Sequence, residues 1–167
     1  MDSIPQQLLV QVILILLNAL FAATEIAVLS LKKLKEKGDK TADKLLKLVE
    51  EPSGFLSTIQ IGITLAGFLG SAFAAEGFSD PLVHWLYDDL GFTTFSLGTL
   101  NTLAVIVITI ILSYFTLIFG ELVPKRIALQ RAEETSMRSV RPILLVSKVM
   151  RPFIWLLSVS TNGVLRL

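Results

Sequence analysis

Ile110–Arg126 reads IILSYFTLIFGELVPKR. It is an apolar helical run that ends on a carboxylate, Glu121, with Pro124 three residues later. Proline has no N–H, and its ring presses on the carbonyl four residues back. Pro124 is therefore expected to free the carbonyl of Gly120, which has no side chain to shield it. A freed carbonyl beside a carboxylate offers hard oxygen ligands, the type that Mg²⁺ and Ca²⁺ prefer. Broken helices at membrane depth persist only where they line protein or a cavity. Lys125 and Arg126 follow at once, as where a helix leaves the bilayer on its cytoplasmic side. A plainer reading stands beside this one: Glu121 as an interfacial acid paired with Lys125 at i,i+4, and Pro124 as a helix stop.

The rest of the chain decides whether lipid is the right setting. Of 167 residues, 53% are hydrophobic, the mean hydropathy is +0.70, and the apolar residues come in long runs. That composition defines an integral membrane protein rather than an ordinary soluble domain. Cysteine is absent, which excludes disulfides, thiolate metal sites and thiol catalysis, and the single His84 cannot build a zinc site alone. A net charge of +1 says little, and no nucleic-acid partner is expected. Residues 1–7 carry no Lys or Arg and the first apolar run is too long for an h-region, so no secretory signal is expected.

Leu8 to Leu31 is the first predicted span, long enough at ~1.5 Å per residue to cross a hydrocarbon core of ~30 Å. Asn18, Ala22, Glu25 and Leu29 share one of its faces. A lipid-facing acid costs ~2.5 kcal/mol or more, so Glu25 should face other helices or water. Asn18 serves equally as a packing hydrogen bond or as part of a pathway. Lys32 to Glu51 carries seven lysines and five acids. With Leu34, Ala42, Leu45, Leu46 and Val49 as a partial apolar face, it reads as a salt-bridged hairpin on the membrane surface.

Residues 53–75 form the second predicted span, rich in glycine and alanine. Gln60, Thr64, Gly67 and Ser71 line one face, which fits tight helix packing or a polar pathway with Ser71 as its best oxygen ligand. Residues 76–99 lack Lys and Arg. There Asp80-Pro81 has the pattern of a helix start, with Asp80 as N-cap and Pro81 in the first helical position. Trp85 and Tyr87 suit an interfacial anchor.

The third predicted span is 97–121, with Thr102, Thr109, Ser113, Thr116 and Gly120 along one face. Three spans with narrow polar stripes can satisfy one another only by facing inward. Beyond residue 121 the chain is basic, and Lys148, Arg151 and Pro152 interrupt the apolar run 142–165. Two uncompensated cations at membrane depth cost ~5 kcal/mol or more, so 126–165 is read as inner-surface amphipathic helices. Every Lys and Arg falls in 32–47 or after 124. The positive-inside rule then predicts an outside N-terminus and a cytoplasmic C-terminus.

LNALFAATEIAVLSL (17–31), TIQIGITLAGFLGSA (58–72) and FGELVPKRIAL (119–129) together resemble the transmembrane domain of the CNNM/CorC magnesium transporters, a group that includes hemolysin C-like membrane proteins. The resemblance covers essentially all of 1–167, and its most specific part is the Gly-Glu-x-x-Pro-Lys box. It implies an all-α membrane fold with three spans and inner juxtamembrane helices, a homodimer in the plasma membrane, and cytosolic CBS modules outside this chain. It also implies Mg²⁺ export, coupled to Na⁺ entry in some members, through a site formed by all three spans. Carried over by position, the family's glutamate falls on Glu121, its serine on Ser71 and its backbone ligand on the Gly120 carbonyl. Two positions depart: Ala22 stands where many members have serine, and Gly67 where many have asparagine. Extra waters, or oxygens of Thr64, Thr24, Glu25 or Asn18, are the candidate replacements.

Three functions follow as expectations. The first is Mg²⁺ export by alternating access, with Glu121, Ser71, Gly120, Thr64, Asn18 and Glu25 as the site. The second is export of an organic cation such as a polyamine through the same cavity. The third is a non-transporting anchor and sensor for CBS modules. The sequence offers no nucleophile–base pair, no His or Cys ligand cluster and no phosphate-binding loop, so an enzyme is not expected.

Overall fold

In the computed structural model, residues 4–38, 40–47, 52–92 and 94–165 are described. Among them the chain is all-α. Helix α1 is Ile4–Glu36, α2 Lys40–Lys47, α3 Pro52–His84, α4 Leu97–Leu117, α5 Val123–Gln130 and α6 Ala132–Leu165. Five-residue π turns follow α3 (Trp85–Asp89) and α4 (Ile118–Leu122). Three stretches are long and apolar enough to cross a membrane: Ile4–Glu36, Phe55–Asp89 and Leu97–Gln130. The first two extend well past the 8–31 and 53–75 expected from hydropathy.

The surface confirms the solvent. Phe68 is 70% exposed and Ile110 64%, among a belt of large apolar side chains on all three spans. In water that patch would drive association. Against lipid tails it is a matched surface, and what holds the helices together is packing and interhelical polar contact.

At the basic end the hairpin is built as its pattern suggests. The extension of α1 reaches Glu36, the chain reverses at Gly38 with φ +87°, and α2 folds back. Ala42 and Leu46 bury against Phe21, Val28, Leu31, Phe55 and Ile59, with Leu34 packed alongside. Lys35 and Asp43 pair at 2.7 Å across the turn. Val49 and the rest of 48–51 lie outside the described residues, as do the side chains of Leu45 and Ser53. Phe21 seats its ring in a notch at Gly62, where a Cβ would stand 2.7 Å from Phe21 Cζ. That contact sets how closely α1 and α3 approach.

The expected helix start at Asp80-Pro81 is not there: α3 runs through Pro81 to His84. Local chemistry is overridden by packing, because Val83 buries against Leu100 and Ala104 of α4, with Leu82 and Tyr87 flanking. Losing one backbone hydrogen bond at the proline is the smaller cost. Trp85 is exposed while Tyr87 packs on that cluster. Helix α4 instead begins at Ser96, whose hydroxyl accepts from the Thr99 N–H at 3.3 Å. Helix α6 is one run through Pro142 and Pro152, and it packs on α1 and α3.

Candidate functional site

The break expected at Pro124 is replaced by a widened turn. The Ile118 N–H is shared between the Phe115 and Tyr114 carbonyls, and the Val123 N–H reaches back five residues to the Ile118 carbonyl. The backbone bonds ahead of Pro124, which offers no N–H, are thus re-paired over a π turn. Such turns inside α-helices are frequent at functional sites. Gly120 and Glu121 are in this turn, with Gly120 buried.

Gly120 lies against α1. A Cβ there would stand 3.1 Å from Asn18 Nδ2 and 3.4 Å from the Ile15 carbonyl oxygen. Beside this contact, between the three spans, is a cavity of about 340 Å³. Its polar lining comes from every span: Gln11 and Asn18 of α1, Thr64 and Ser71 of α3, and Ser113, Thr116 and Glu121 of the third span. Part of each predicted stripe is thus brought together, while Gly120, Gln60, Thr102 and Thr109 do not line the cavity. Asn18 is only 3% exposed, and its Oδ1 is buried without a hydrogen-bond partner. Leaving a buried acceptor unpaired costs about 1–3 kcal/mol. The hydroxyls are less free than their spacing suggests: Thr64 donates to the Gln60 carbonyl at 2.9 Å and Thr24 to that of Leu20 at 2.7 Å. Their lone pairs remain on the oxygen.

Glu25 does not line the cavity. It is joined to it through Lys125, whose Nζ lies 2.9 Å from Glu121 Oε1 and 3.2 Å from Glu25 Oε2. The Glu121 contact is a hydrogen bond. The Glu25 contact is the longer and less well aligned of the two, an ion pair at 3.2 Å to a buried Oε2. The plainer i,i+4 pairing is therefore present, but in a cluster reaching across to α1 rather than in a solvated one.

Two residues that local reading passes over close the other end. Gln11 donates from Nε2 to the Gly70 carbonyl at 2.9 Å, and Gln7 packs its amide into the notch at Gly77. The signal was available: Gln7, Gln11, Asn18 and Glu25 recur at i, i+4, i+11 and i+18 along α1. Among the described residues no three acids or histidines converge. A cation here would meet one or two carboxylates, neutral oxygens and its own water.

A bundle of three spanning helices around an acid-bearing polar cavity defines a multi-pass membrane domain. The chain belongs to the CNNM family: the cyclin M transmembrane N-terminal domain matches residues 9–167. Its relatives include a UPF0053 protein of Synechocystis sp., 35% identical over 99% of this chain, and one of Haemophilus influenzae, 32% identical over 100%. YrkA of Bacillus subtilis, also a UPF0053 protein, is 29% identical over 96%. The chain spans 37% of the length of each of these relatives.

Proposed function

We propose that this domain exports Mg²⁺ across the plasma membrane by alternating access, with Na⁺ entry as the driving counterflow. The observation that carries the reading is the cavity between the three spans, lined by Glu121 together with Asn18, Thr64 and Ser71. Mg²⁺ keeps several waters and needs only one or two carboxylates. The Gly-Glu-x-x-Pro-Lys box runs from the π turn that holds Glu121 into the start of α5. Neither Ala22, fully buried, nor Gly67 offers a side-chain oxygen, and Asn18 and Thr64, which line the cavity, are the proposed substitutes. The segregation of Lys and Arg supports a cytoplasmic side for the 32–51 hairpin and the C-terminus. The full protein is a homodimer whose CBS modules follow this domain.

Replacing Glu121 by Gln or Ala is expected to abolish Mg²⁺ efflux from loaded liposomes while leaving the protein folded. Unimpaired efflux in either variant removes the assignment. Export of an organic cation is the second reading, favoured by one contact: a primary ammonium, that of Lys125, already rests between Glu121 and Glu25. Thermal protection by putrescine or cadaverine, without protection by Mg²⁺, would select it.

A further inference from the structure

Lys125 stands one turn beyond Glu121, and its ammonium touches the acid that lines the cavity and the acid that does not. All three side chains are partly buried: Lys125 is 26% exposed, Glu121 29% and Glu25 23%. The two contacts differ in kind. Toward Glu121 the ammonium makes an aligned hydrogen bond at 2.9 Å. Toward Glu25 it lies at 3.2 Å, and the buried Oε2 it approaches has no aligned donor. Glu25 therefore holds unused acceptor capacity within reach of the same ammonium.

We propose that Lys125 is a tethered counter-cation that competes with the transported ion for Glu121, and that Glu25 is where its ammonium goes when the ion arrives. This rests on Glu121 being the cargo's carboxylate. A divalent ion that arrives at Glu121 repels the ammonium already hydrogen-bonded there and competes with it for the same carboxylate. The lysine stem has four rotatable carbons, and Glu25 is already in contact, so displacement requires only a small swing. The cluster then passes from one net negative charge to one net positive, and at no stage is Glu121 left uncompensated at membrane depth. The lysine thereby weakens cargo binding and speeds release, since the returning ammonium refills the vacated carboxylate.

The test is calorimetric titration of Mg²⁺ into the purified protein in detergent, alongside efflux from loaded liposomes. Lys125→Met keeps chain length and removes charge. Its Mg²⁺ affinity should rise about tenfold, a magnitude common for coupling between neighbouring sites, while efflux slows because release is delayed. Glu25→Gln should lower affinity about fivefold, within the same range of coupling, because the ammonium is then left on Glu121 alone. A folded Lys125→Met protein with unchanged or weaker affinity overturns the proposal. If that variant does not fold, Glu25→Gln decides, and unchanged or tighter binding there overturns it. Glu121→Gln separates the two levels. Lost binding in that variant, with no gain in Lys125→Met, removes the lysine's role and leaves the transport reading standing. Unchanged binding in Glu121→Gln removes both.

Discussion

Asn18 and Gly120 are closely apposed across the α1–third-span interface, where a Cβ at 120 would stand 3.1 Å from the Asn18 amide nitrogen. This one contact joins the orphaned buried acceptor of the site to the π turn that carries its acid. It explains why glycine, a weak helix former, stands inside a spanning helix. The residue is there for what it leaves open.

Gly120→Ala tests that relationship. Alanine in a helix gains about 0.5–1 kcal/mol over glycine. Against this, its Cβ at 3.1 Å pushes the Asn18 amide by a few tenths of an ångström, and overpacking costs about 1–3 kcal/mol. The opposing effects should leave the unfolding temperature nearly unchanged. Mg²⁺ efflux should nevertheless fall, since Asn18 is displaced from the cavity wall. Thermal unfolding in detergent and liposome efflux, measured together, check both halves.

Asn18→Leu should separate stability from function in the other direction. It removes a buried acceptor that now lacks a partner, worth about 1–3 kcal/mol, and replaces it with a side chain of similar size. The variant is expected to melt higher than the wild type and to transport little. Stabilising an active cavity commonly lowers activity. A lower melting temperature would mean that the amide is held by packing contacts that leucine cannot reproduce.

What the sequence makes legible follows from what lipid enforces. Long apolar runs and the segregation of Lys and Arg are obligatory, so the three spans can be read directly. The inward faces are legible too, because Gln11 and Asn18, Thr64 and Ser71, and Ser113 and Thr116 recur at helical spacing within apolar surroundings. Three features were not. Pro81 reads as a helix start because the buried contact of Val83 with Leu100 and Ala104 is non-local. Pro124 reads as a break because residue types alone do not reveal that bonds can be re-paired over a wider turn. The Lys125–Glu25 ion pair joins residues a hundred positions apart, where no local periodicity applies.

Pro124→Ala asks whether the missing N–H causes the π turn. Alanine restores a donor one turn after Gly120, and a helix that rewinds to α rotates what precedes by roughly 100°, one residue's share of a 3.6-residue turn. Glu121 would then swing off the cavity. Expected are an equal or higher unfolding temperature, since proline is the poorer helix former by up to about 3 kcal/mol, and a severe loss of efflux. Retained efflux would assign the π turn to the Gly120–Asn18 contact rather than to the proline.

Gly62→Ala addresses the scaffold and not the cavity. The new Cβ would meet the Phe21 ring at 2.7 to 2.8 Å, closer than such atoms pack. Phe21 is 6% exposed and wedged among Val28, Leu31 and Ile59, so the ring has no open direction in which to yield. Here the overpacking cost of about 1–3 kcal/mol should exceed the helix gain of about 0.5–1 kcal/mol. The protein is expected to melt lower. Mg²⁺ affinity per folded molecule should hold, because neither Gly62 nor Phe21 lines the cavity. Combining Gly62→Ala with Phe21→Leu, which gives up the ring tip, should recover much of the loss, and thermal unfolding of the single and double variants measures that coupling directly.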